Sequence, residues 1–213
     1  MDFPDNARKS HSSPVASAGG LIIFPYITCA LIYLSFLSFI KFKILFIWIF
    51  LYLTFFLTGI IDDTIHLKAK SKTFILLLIL FITLPLDNSL VVSILDFKDI
   101  KYVIVLNQGA LFFTIFCVYL FYNSLNFSDG LNGISLTVCL YFVIVIILTQ
   151  NELNVFHYSI LISIFITLIP NLFGKIFIGN SGINFLACTL FLLFIDVYNN
   201  NLILFDEIML IVF

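Results

Sequence analysis

Residues 44–63 read ILFIWIFLYLTFFLTGIIDD, an apolar run from Ile44 to Ile61 that stops on two adjacent carboxylates, Asp62 and Asp63. At about 1.5 Å of rise per residue, such a run nearly matches the roughly 30 Å hydrocarbon thickness of a bilayer. Similar runs lie on both sides of it. Leu21–Phe39 precedes it, and Phe74–Leu95, Tyr102–Tyr122, Ile134–Thr149, Val155–Leu172 and Ile183–Tyr198 follow. Ile208–Phe213 opens an eighth run that stops after six residues. Two of the seven are interrupted: Phe74–Leu95 by Pro85, Asp87 and Asn88, and Tyr102–Tyr122 by Asn107, Gln108 and Gly109.

Composition agrees with these runs. Of 213 residues, 62% are hydrophobic and only 10% charged, where an average soluble domain has roughly 25% charged residues. So little polar surface cannot cover a water-facing domain, and the apolar side chains must meet lipid. In lipid every backbone amide needs an internal partner, and long unbroken runs supply it as helices rather than alternating barrel strands. The expected fold is therefore all-α: a polytopic helical bundle of about seven transmembrane helices plus a truncated eighth, one membrane-embedded domain over residues 1–213. Ten Lys and Arg against twelve Asp and Glu give a net charge of −2, which excludes the basic footprint that binds nucleic acid. Cys29, Cys117, Cys139 and Cys188 lie inside apolar runs without CxxC spacing and read as small buried hydrophobes. The polar N-terminal stretch does not have the order of a cleaved signal peptide.

Seven spans put the connections on alternate sides. One side collects the N-terminal tail, Asp62–Lys72, Asn123–Gly133 and Asn171–Gly182, and carries Arg8, Lys9, Lys68, Lys70, Lys72 and Lys175. The other has Lys41, Lys43, Lys98 and Lys101. The positive-inside rule makes the first side cytoplasmic, and its loops also combine Asp, Asn and Gly most densely.

Two adjacent carboxylates repel unless a cation lies between them, so Asp62–Asp63 suits Mg²⁺ carrying a phosphorylated substrate, or a general base. It reads equally well as a solvated acidic helix end. His66, four residues on, would share a face with Asp62 if the helix continued. In Asn123–Gly133, Asn126 and Asp129 lie one helical turn apart, beside Gly130 and Gly133; three Asn, one Asp and two Gly exceed what a tight turn needs, which favours a site. Asn171–Gly182 reads either as a Gly loop whose amides favour phosphate or as an ordinary capped turn. Arg8, Lys9 and His11 would suit anionic lipid. The spans offer almost no ionisable groups to line a path and show no inverted repeat, which counts against a channel or transporter.

Taken in order, these segments resemble the polyprenyl-phosphate N-acetylhexosamine-1-phosphate transferases, the family that includes the phospho-N-acetylmuramoyl-pentapeptide translocase. The tail Pro4–Pro14 followed by Gly19-Gly20 is similar to the family's basic entry into its second helix. Asp62-Asp63 matches its acidic pair, Asn123, Asn126, Asp129, Gly130 and Gly133 match NxxNxxDGxxG, and Phe177, Gly179, Asn180 and Gly182 match FxGDxG. The resemblance runs from about Pro4 to about Leu186. It implies transfer of a sugar 1-phosphate from a UDP-sugar to undecaprenyl phosphate with release of UMP, in a multi-pass protein of the bacterial inner membrane whose active face is cytoplasmic. It also implies contact with membrane lipid and leaves room for a homodimer. Asp62 would activate the lipid phosphate, Asp63 and Asn180 would hold Mg²⁺ (or Mn²⁺), Asn123, Asn126 and Asp129 would bind the nucleotide sugar, and Arg8, Lys9 and His11 would contact phosphate. Three features depart from the pattern: Asn180 replaces the usual Asp, and the family's first helix and its C-terminal helices with their His-containing loop are lacking. The competing expectation is therefore a truncated or degenerate homologue that binds lipid or a partner without turnover.

Overall fold

The computed structural model describes residues 15–37, 40–97, 101–129, 132–150, 154–200 and 202–205. Among these are seven α-helices: α1 (Gly19–Phe36), α2 (Phe42–Ile65), α3 (Ala69–Thr83), α4 (Ala110–Ser128), α5 (Ile134–Thr149), α6 (Val155–Leu172) and α7 (Gly179–Asn199). Six segments are long and apolar enough to cross a membrane; α5, with 16 residues, is shorter. The all-α, polytopic bundle expected from the sequence is therefore the observed architecture. The run Ile208–Phe213 lies outside the described residues.

The helices are arranged around α7. In its spanning window 94% of residues are buried, against 22–50% in the other five. It packs on α1, α2, α4 and α5, and Phe185 anchors an aromatic cluster with Phe24, Tyr52 and Phe56. Exposed apolar residues such as Phe46, Leu57, Phe112 and Phe165 form the outer surface, which is the distribution a bundle in hydrocarbon requires.

Two of the expected spans are corrected. The run Phe74–Leu95 is helical only to Thr83, and the helix starts earlier, at Ala69. Pro85 lies in a single 3-10 turn, and Asp87 then folds the chain back by accepting from the Ser89 N–H (3.0 Å) and hydroxyl (2.8 Å). Beyond it, β2 (Ile94–Phe97) and β3 (Tyr102–Val105) form an antiparallel hairpin in the register Ile94↔Val105 and Phe97↔Tyr102. The start of the expected span Tyr102–Tyr122 is thus a strand, because Val and Ile suit a pleated ribbon as well as a spanning helix. The hairpin is fastened to the end of α7: Tyr198 Oη accepts from the Asp96 N–H (3.1 Å) and donates to the Ile94 carbonyl (2.7 Å), and Asn199 donates to the Ser89 carbonyl (2.7 Å).

At the opposite end, β1 (Ala16–Ser17) pairs in parallel with β4 (Ile176–Phe177). This places the entry to α1 beside the entry to α7. The C-terminal ends of α2, α4 and α6 and the N-terminal ends of α1, α3, α5 and α7 share this end, so the described parts of Asp62–Lys72, Asn123–Gly133 and Asn171–Gly182 do converge there, while the N-terminal tail lies outside the described residues.

Candidate functional site

Two of the three segments expected to be loops, Asp62–Lys72 and Asn123–Gly133, prove to be largely helix ends, whereas Asn171–Gly182 contains the turn and strand between α6 and α7. Helix α2 continues through Asp62 and Asp63 to Ile65, leaving only residues 66–68 as a turn, so Lys72 falls in the first turn of α3. Helix α4 continues past Tyr122 to Ser128 because its polar residues find partners within the helix: Asn123 donates to the Tyr119 carbonyl (2.8 Å), Ser124 to Phe121 (2.9 Å), Asn126 to Tyr122 (3.0 Å) and Ser128 to Leu125 (2.7 Å). A polar residue that bonds back one turn can stay helical at the membrane edge.

The convergence centres on Lys72. Its ammonium donates to Asp62 Oδ2 (2.8 Å), Asn126 Oδ1 (3.0 Å) and Asn180 Oδ1 (3.2 Å), and it lies 5.7 Å from the centre of the Tyr122 ring. Three acceptors meet the three protons of an ammonium. The side chains of Lys72 and Asp62 are only 12% and 10% exposed, so the pair is partly desolvated and its removal would leave a buried charge. The second oxygen of Asp62 accepts from the Leu67 N–H (2.9 Å), folding the short turn after α2 back on the site.

Asp63 points the other way. Its two oxygens accept from the N–H groups of Asn180 (2.8 Å) and Ser181 (3.0 Å), so it caps the N-terminus of α7 from a neighbouring helix. Unpaired amides and the helix dipole both favour a carboxylate there. The adjacent acids are thus neutralised separately, Asp62 by Lys72 and Asp63 by α7. Such contact requires the helix backbones to meet closely. A Cβ at Gly59 would fall on the Cα of Ser181, and one at Gly20 would lie 2.5 Å from the Gly182 nitrogen.

Asn184, one turn into α7, extends the polar floor. With its amide nitrogen toward Tyr122 Oη (3.0 Å) and the Asn180 carbonyl (3.2 Å), its oxygen accepts from the Gly59 N–H (3.3 Å). At the other edge, Asp129 caps α4 and accepts from the Ser135 hydroxyl of α5 (3.0 Å). The neighbouring Asn171 accepts from the Gly133 N–H (2.6 Å) and donates to the Ile176 carbonyl (2.9 Å), tying α6 to the turn before α5 and to the strand before α7.

Burial raises the Asp129 carboxyl from its ordinary 3.8 to about 7, against the opposing effect of the Ser135 hydrogen bond; Asp63 adds to the rise and Lys72 opposes it. A raised folded-state value means that the unfolded chain loses this proton first, near pH 4, while the folded chain keeps it until about pH 7. Between those values the folded state binds more protons, so stability falls as pH rises and levels off above about 7. Asp129→Asn keeps an acceptor for Ser135 and is expected to flatten this fall and raise the melting temperature at pH 8. An unchanged pH profile of thermal unfolding would remove Asp129 as the source.

A search for family patterns matches Glycosyl transferase family 4 over residues 45–198, from α2 to the end of α7. The chain belongs to this family. No curated protein sequence matches it. The matched region contains Asp62, Asp63, Lys72, Asn126, Asp129, Asn180 and Asn184, and as a family 4 member the chain is a membrane-embedded sugar-phosphate transferase in general type.

Within this family 4 chain, Asp62, Asn126 and Asn180 come together on Lys72, Asp63 lies behind Asn180 as a helix cap, and Asp129 lies at the rim on Ser135. Asn123 bonds back within α4. His66 does not continue the helix: it is the left-handed cap after α2 (φ 55°), exposed, with its N–H on the Asp62 carbonyl. Arg8, Lys9, His11 and Gly130 lie outside the described residues. Sequence reasoning missed Lys72 and Asn184. The available signals were a cation entering a spanning run and a lone Asn one turn after Asn180.

Among the described residues no three His, Cys, Asp or Glu side chains come together as ligands. Both Asp63 oxygens are engaged by amides, and Asn180 Oδ1 faces an ammonium. The described residues as arranged do not fit Mg²⁺, which prefers carboxylates and waters in an octahedron at about 2.1 Å.

Proposed function

We propose that this family 4 protein transfers an N-acetylhexosamine 1-phosphate from a UDP-sugar to undecaprenyl phosphate at the cytoplasmic face of a bacterial inner membrane. The observation that carries this reading is the cage of Asp62, Asn126 and Asn180 around Lys72, drawn from four helices at one end of the bundle. At headgroup depth such a cation can meet the phosphates of a lipid and of a nucleotide together. An oxygen of the lipid phosphate attacks the sugar-bearing phosphorus of the UDP-sugar. A new P–O–P bond forms, the bond to the UMP phosphate breaks, and UMP leaves with the electron pair.

The chain's own groups suit these steps. As phosphate draws Lys72 toward itself, Asp62 Oδ2 is freed to take a proton from the acceptor phosphate. Lys72 balances charge developing between attacking and leaving oxygens. Asn126, and Asp129 at the rim, are placed to bind the nucleotide sugar, and Asp63 is a positioning residue that holds α7 and therefore Asn180.

The test is exchange of labelled UMP into a UDP-N-acetylhexosamine by membranes supplied with undecaprenyl phosphate. Exchange is expected only when the lipid phosphate is present, in inside-out but not right-side-out vesicles. Exchange from the outer side would overturn the sidedness. No exchange by the folded protein with any UDP-N-acetylhexosamine would favour a homologue without turnover, for which Asn180 in place of an acid is the specific support.

A further inference from the structure

The cation at the centre of the cage belongs to the protein. Lys72 has its three protons on three oxygens at 2.8, 3.0 and 3.2 Å, which are hydrogen-bond lengths for a charged nitrogen, and its side chain is 12% exposed. Only one of those oxygens carries formal charge, that of Asp62; the other two are the neutral amides of Asn126 and Asn180. Of the other carboxylates nearby, Asp63 is committed to the amides that open α7 and Asp129 to Ser135. One positive charge therefore balances one negative charge inside the cage, and among the described residues around it no uncommitted carboxylate is left for a second cation.

We propose that the Lys72 ammonium is the resident cation of this site, and that Lys72 and a divalent cation exclude one another there. A metal at the same oxygens must displace the ammonium from Asp62 and leave two cationic groups within one polar cage. Asn180 is the reason the ammonium wins. A neutral amide completes a monovalent cage, whereas a carboxylate at that position would over-balance Lys72 and favour a divalent ion. The resulting site carries phosphate on a tethered cation, so its anion affinity should depend little on added metal. The inference is independent of the transfer reading, because it concerns cation binding without either substrate.

The test uses Mn²⁺ as the probe, followed by electron paramagnetic resonance on the full chain in nanodiscs near neutral pH, without nucleotide or polyprenyl phosphate. The natural protein should bind Mn²⁺ at this site only in the millimolar range, and Asn180→Asp alone should gain less than about tenfold, since Lys72 remains. Lys72→Gln, which keeps a donor for Asp62 but removes the charge, should tighten Mn²⁺ binding at least about tenfold, and the double variant about a hundredfold or more, beyond the sum of the single changes. Lys72→Arg should bind no more tightly than the natural chain. Two results overturn the proposal: Mn²⁺ binding by the natural protein below about 50 µM that Asp62→Asn abolishes, or a double variant no tighter than Asn180→Asp. Should Lys72→Gln fail to fold, the natural chain and Lys72→Arg still decide the outcome, because tight binding by either contradicts exclusion. Loss of transferase activity leaves each of these readings intact.

Discussion

Asp62→Asn is expected to lower UMP exchange by at least about a hundredfold, the scale of losing a placed acid–base group. The substitution keeps an oxygen for the Leu67 N–H but removes the charge that holds Lys72, so the ammonium loses its shortest contact, at 2.8 Å. The paired experiment is Asp63→Asn. Asp63 touches the amides that open α7 rather than Lys72, and its replacement should cost about 1–2 kcal/mol of stability, as for a helix cap, with a smaller loss of exchange. Comparing exchange and melting temperature for both variants separates the roles. Near-normal exchange by a folded Asp62→Asn protein would remove Asp62 from the chemistry.

The largest stability effect is expected at Gly59. A methyl group there would overlap the Ser181 Cα and lie 2.5 Å from the Asn180 carbonyl oxygen. Both are backbone atoms of α7, and a helix that is nearly all buried cannot yield locally. Gly59→Ala should therefore cost about 3 kcal/mol and lower the melting temperature by about 6–12 °C for a chain of this size. Exchange should fall with it, because the shift moves Asn180 away from Lys72. Gly109, at which an added Cβ meets nothing within 4 Å, is the control, and Gly109→Ala should melt within about a degree of the natural protein. Equal melting of both variants would show that α2 and α7 are not held at this distance.

The bundle was legible because lipid imposes one demand, satisfied backbone amides, that only long apolar helices meet so simply. The site's location was legible for a related reason: Asp62, Asn126 and Asn180 interrupt or end apolar runs, and alternation put their segments at one end. Lys72 was not legible. Read along the chain it is one of several lysines after Asp62, and its role depends on α3 starting early enough to turn it inward. The hairpin was hidden because Val103, Ile104 and Val105 are apolar in strand and helix alike. The centrality of α7 was hidden for a similar reason: hydropathy reports avoidance of water and does not separate contact with lipid from contact with protein, so α7 and the peripheral α1 have similar hydropathy with very different burial.

The placement of α7 also orders the protein's biogenesis. Asp63 finds its partners 117 and 118 residues further along the chain, and Lys72 reaches Asn180 across 108. In a chain made from the N-terminus, the six described helices α1–α6 are all synthesised before the one that packs between them. Until α7 is in place, Asp63 and the Gly59 notch have no counterpart to pack on. Insertion of α7 completes the cage in one event, so the polar site is assembled only when the seventh helix takes its place.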